Sequence, residues 1–67
     1  MIVTDEQKAA YIHSQVACAM IEMFAMKAAN HEREQQGYAH AYGEDAFMEL
    51  IDRYGISHNA VIGFFRS

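Results

Sequence analysis

A chain of 67 residues with 52% hydrophobic residues, one cysteine, no proline and a formal charge of −4 reads as one short folded domain. It is too apolar for a disordered chain, too acidic for non-specific attraction to phosphate, and unable to close an internal disulfide. Because so small a domain buries only about 60% of the surface its unfolded form exposes, its core is marginal, and a structural metal or self-association must supplement it.

The acidity is evenly spread: residues 1 to 36 hold five acids and three bases, residues 37 to 67 four acids and two bases. Neither half is a basic nucleic-acid domain. The most apolar run, VACAMIEMFAMKAA at 16 to 29, is interrupted by Glu22 and Lys27. It falls short of the roughly 20 residues a bilayer span requires, so no membrane segment is expected. The opening MIVTDEQK has acids where a secretory signal would carry bases, and with the lone thiol of Cys18 this points to a reducing cytoplasm.

Thr4 followed three residues later by Gln7 is a capping box, and Asp5 and Glu6 lie in the first turn, where the helix dipole favours acids. The pattern predicts a helix from Asp5 that runs unbroken through alanine and methionine to about residue 36, where Gly37 supplies a left-handed terminator. GYAHAYGED at 37 to 45 has no helical apolar period and reads as a loop, its Tyr38 and Tyr42 folding back on the helices. From 45 to 54 the spacing is helical again, with Phe47, Leu50, Ile51 and Tyr54 on one face and Asp45, Glu49 and Asp52 opposite. Gly55 ends that segment, and Ser57 is a good N-cap for a third helix at 58 to 66, with Val61, Phe64 and Phe65 on its apolar face. The expected architecture is all-α: one long N-terminal helix and a C-terminal helical hairpin in a small bundle, oligomeric in its working form.

The oligomer follows from the first helix. With residues placed every 100 degrees or so, Ile12, Val16, Met20, Ile21, Met23, Phe24 and Met26 spread over roughly 220 degrees of circumference, more than two short helices can cover. Along Ile12, Val16, Ala19, Met23 and Met26 the steps run four, three, four, three, the spacing of helices packed side by side, and alanine permits close approach. Ile12, Val16, Ala19, Met20, Met23, Phe24 and Met26 are therefore the expected protein interface. Five methionines in so short a chain suit a surface that adapts to its partner.

The terminal segment ELIDRYGISHNAVIGFFR, residues 49 to 66, fits the spacing of a helix-turn-helix, with Gly55 at the turn, Ile56 and Val61 as branched locking residues and Phe64 beyond. Its SHNAVIG string resembles the recognition-helix region of the GcrA-type cell-cycle regulators. That resemblance implies a DNA-binding regulator in which Ser57, His58, Asn59 and Arg66 meet DNA. The charge reading opposes it, since Asp45, Glu49 and Asp52 would face the phosphate backbone. In a looser sense the whole chain is similar to the short acidic proteins of tailed phages and prophages. This similarity implies an accessory or inhibitor protein in the host cytoplasm with a host protein as partner.

No catalytic constellation and no cofactor motif stand out. His13, His31, His40 and His58 lack ligand spacing, HEREQ lacks the second histidine of a zinc-protease motif, and Cys18 has no basic neighbour to activate it. A ligand sponge at a subunit interface would need Lys8, Lys27 or Arg33 to converge between copies. The reading favoured overall is a non-enzymatic, self-associating helical protein that binds another protein.

Overall fold

The computed structural model describes residues 3 to 66; residues 1, 2 and 67 lie outside the described part. Three helices follow in chain order, α1 (Asp5–Gln35), α2 (Glu44–Arg53) and α3 (His58–Arg66), and no strand occurs among the described residues. The all-α class, the long first helix and the pair of short C-terminal helices stand where the sequence puts them, with bounds shifted by a single residue at most.

The ends form for the reasons the residue types suggest. Thr4 accepts the amide of Gln7 at 3.1 Å while the Gln7 side chain accepts the amide of Thr4 at 3.0 Å, closing the capping box. At the far end Gly37 takes φ +79, and the amide of Tyr38 reaches back to the carbonyl of Arg33 at 2.8 Å, the six-to-one bond of a Schellman stop. The same device ends α2: Gly55 has φ +66 and the amide of Ile56 donates to the carbonyl of Ile51 at 3.0 Å. Ser57 then opens α3 by accepting the amide of Ala60 at 3.2 Å through its hydroxyl.

The C-terminal pair returns along α1 as a broken antiparallel strut. Asn30 holds Tyr42 near one end, Glu22 holds Arg53 and Tyr54 midway, and Lys8 meets Phe65 at the other end. Both short helices bring Cα atoms within 8 Å of α1, whereas α2 and α3 do not approach each other that closely. They lie nearly end to end along one side of the long helix. A rod results, 52 × 17 × 15 Å, with a radius of gyration of 15.5 Å against about 11 Å for a compact chain of this length.

Its core is correspondingly thin. Among the described residues the buried apolar side chains are Ala19, Met26 and Leu50, and none of the large side chains is fully enclosed. The chain exposes 5303 Å², roughly 1,000 Å² more than a globular monomer of its mass, for which about 4,300 Å² is expected. One side of α1 therefore has its cover, and the remainder faces water.

A candidate interaction surface on the first helix

The seven predicted interface residues divide into two groups. Ala19 and Met26 are only 7% and 6% exposed and form the internal core with Leu50, while Ile12 and Met23 are half-buried. Val16, Met20 and Phe24 remain 37%, 48% and 55% exposed. Of the expected seam Ile12, Val16, Ala19, Met23 and Met26, every residue but Val16 is thus at least half-buried within the chain itself. Ala19 and the buried Leu50 of α2 line one groove between the two helices. The uncovered apolar face is rotated toward Val16, Met20 and Phe24, one turn apart along one flank of α1.

This flank continues onto α2. Met20 and Met23 of α1 line an open, almost wholly apolar groove of about 320 Å³ together with Phe47, Met48, Leu50, Ile51 and Ile56. Met48 and Ile51 are themselves exposed. Neither belongs to the predicted interface. The helical spacing places Ile51 on the packed face of its helix, and Met48 becomes legible only once the rotation of α2 about its axis is known. Together these side chains make a continuous apolar strip, larger than the scattered single residues an ordinary surface carries. Ile21, on the far side of α1, is exposed outside the strip.

A second hollow of about 460 Å³ opens between α1 and α3, lined by Val3, Tyr11, Ile12, Tyr54, Gly55, Ala60 and Phe64. Tyr11 and Phe64 meet there in a tilted ring pair, 5.4 Å between centroids. Beside it Lys8 is buried, its ammonium 5.7 Å from the Phe64 ring and its Nζ donating to the carbonyl of Phe65 at 3.4 Å. Nothing in the local sequence signals a lysine turned inward, since its burial depends on where α3 lands.

Polar ties hold the strut in register. Arg53 pairs with Glu22, and the Tyr54 hydroxyl donates to the other oxygen of that carboxylate at 2.5 Å. The bond to Glu22 pushes the Tyr54 phenol above its ordinary range, with burial and the negative charge of Glu22 adding to the effect. Arg53 also reaches Glu49, four residues before it on α2, at 3.9 Å. Where the loop meets α1, Asn30 donates to the carbonyl of Tyr42 at 2.8 Å and accepts its amide at 2.9 Å. Of the two tyrosines expected to fold back on the helices, Tyr38 lies beside Arg33 of α1 and Tyr42 is tied to Asn30 of α1 through its backbone, and both remain exposed.

Of the residues that a helix-turn-helix would use, His58, Asn59 and Arg66 are exposed on α3, and Ser57 is occupied as its cap. Asp45, Glu49 and Asp52 are exposed on α2. The cations of the ligand-sponge reading are engaged within the chain: Lys8 with the carbonyl of Phe65, Lys27 over the Phe24 ring, and Arg33 with Tyr38 and the carbonyl of Ala39. All four histidines are exposed, and among the described residues no group of three His, Cys, Asp or Glu side chains could hold a metal ion. No helix among the described residues is long and apolar enough to cross a membrane.

Searches against protein-family models, curated proteins and solved structures return no significant match to the chain.

Proposed function

We propose that this chain is a small, non-enzymatic interaction protein that self-associates through the Val16, Met20 and Phe24 flank of α1 and, so assembled, binds another protein. One observation carries the reading: a half-covered long helix whose apolar strip continues onto α2, in a chain exposing 5303 Å². The excess of roughly 1,000 Å² over a globular monomer compares with the ~800 Å² that each partner contributes to a standard interface. α1 is also weakly amphipathic whereas α2 and α3 are strongly so, as suits a helix contacted from more than one side.

The magnitude favours a concentration-dependent association. Five half-exposed side chains, Val16, Met20, Phe24, Met48 and Ile51, each have about 1 kcal/mol of transfer free energy left to gain, or ~10 kcal/mol for a pair of chains. Association costs ~4–15 kcal/mol in lost freedom. The two terms are of the same size, so the balance between single chains and assemblies is set by concentration. The similarity to short acidic phage proteins makes a host protein the natural second partner, and the thiol of Cys18 accords with the cytoplasm.

Light scattering of the wild-type chain and of Met20→Glu tests the reading. The wild type is expected to rise with concentration to at least twice the 7.6 kDa chain mass. Met20 is half-exposed, so Met20→Glu should keep its helicity and stay monomeric. A wild-type chain that remains monomeric into the high micromolar range refutes the proposal.

A further inference from the structure

Given that self-association reading, the direction in which two copies lie is written in the charges and side-chain sizes of the same flank. Extended by three- and four-residue steps, the flank runs Glu6, Ala9, His13, Val16, Met20, Phe24 and Lys27. We infer that two copies of this chain pair as an antiparallel α1–α1 dimer whose two-fold axis passes beside Val16 and Ala17. In this register Glu6 faces the partner's Lys27, Ala9 faces the partner's Phe24, and His13 faces the partner's Met20.

The first two of these juxtapositions have a physical ground. Glu6 and Lys27 are both exposed, and among the described residues neither has an ion pair within its own chain. Antiparallel pairing joins them twice per dimer, whereas a parallel, in-register pair sets Glu6 against Glu6 and Lys27 against Lys27. The ring of Phe24, 55% exposed, needs a small residue opposite, and Ala9 supplies one. The two α1 dipoles, lying antiparallel side by side, attract in the same sense. The overlap from Glu6 to Lys27 spans about 33 Å. It brings the partner's N-terminal half, which has no α2 beside it, along the groove flanked by Met48 and Ile51. The arrangement is isologous, so the patch closes on itself and leaves no open end for a filament.

Disulfide trapping reads the geometry directly. Cys18 is exposed and lies nearly opposite the flank around the helix, so it is replaced by serine in all variants. Val16→Cys, close to the axis, should form a disulfide dimer under mild oxidation in either orientation. His13→Cys alone and Met20→Cys alone should not, because in the antiparallel register each lies about 10 Å along the axis from its counterpart, beyond the ~7 Å Cα separation a disulfide spans. An equimolar mixture of the two should yield the mixed dimer, at least about tenfold above either alone. Should Val16→Cys trap while His13→Cys and Met20→Cys each trap with themselves, the pair is parallel and this inference is overturned, with self-association intact. No trapping at any of the three positions overturns both.

Discussion

Asn30→Ala removes a side chain that bonds the returning loop to α1 by both its donor and its acceptor. Asn30 is only 8% exposed, and its amide satisfies the carbonyl and the amide of Tyr42 together. Each such bond contributes about 0.5–1.5 kcal/mol net, so losing both costs ~1–3 kcal/mol. Alanine is the better helix former by about 0.5 kcal/mol, which offsets part of that loss. The expected net destabilisation is ~0.5–2.5 kcal/mol, against a total of about 3–10 kcal/mol for a domain of this length. Urea unfolding followed by far-ultraviolet circular dichroism, at one fixed protein concentration, should show the midpoint falling by ~0.5–2.5 M, taking a slope near 1 kcal/mol per M for so small a chain. Hydrogen exchange supplies the local signature: the Tyr42 amide should lose its protection before the centre of α1 does. An unchanged midpoint together with an unchanged Tyr42 amide would refute the claim that this clamp sets where the strut begins.

Two further substitutions probe the strut. Gly55 holds φ +66, and a Cβ there would meet nothing within 4 Å, so Gly55→Ala isolates the backbone cost. It should lower stability by about 1–2 kcal/mol in a thermal melt, with Gly55→Asn less affected; equal stability of alanine and glycine would contradict the left-handed stop. Tyr54 carries a pH signature. Its phenol is raised above the ordinary 10.0 by the bond to Glu22, so the stabilisation is complete below about pH 10 and is lost as the pH rises through the higher folded value. Absorbance titration should show a tyrosine ionising later than an unperturbed phenol and disappearing in Tyr54→Phe, and that variant should lose less stability than the wild type as the pH rises above 10.0. A late tyrosine that persists in Tyr54→Phe would place the perturbed phenol elsewhere.

What was legible in the sequence is chiefly local chemistry. Thr4 with Gln7, Gly37, Gly55 and Ser57 mark helix ends through bonds spanning at most five residues, and those ends lie where such bonds require. The excess apolar circumference of α1 was legible for the same reason, because it needs only the helical repeat. Which part of that circumference would be spent internally was not legible. The choice between an interface through Ala19 and Met26 and one through Met20 and Phe24 depends on where α2 lands, and that is decided by Asn30 holding Tyr42 and by Glu22 holding Arg53 and Tyr54, contacts 12, 31 and 32 residues apart. Lys8 turns inward for an equally remote reason, its acceptor on Phe65 lying 57 residues away. Glu22 in sequence merely interrupts an apolar run; in the fold it anchors the end of α2.

Methionine oxidation by hydroxyl radicals, measured residue by residue across protein concentration, tests most directly whether another molecule covers the exposed flank. Met26, buried within the chain, should stay protected throughout, and Met20, 48% exposed in the single chain, should oxidise readily when dilute and become protected as copies associate. Met20 reacting at the same rate from the lowest to the highest concentration would mean that its flank faces water at every concentration, and would contradict self-association through α1.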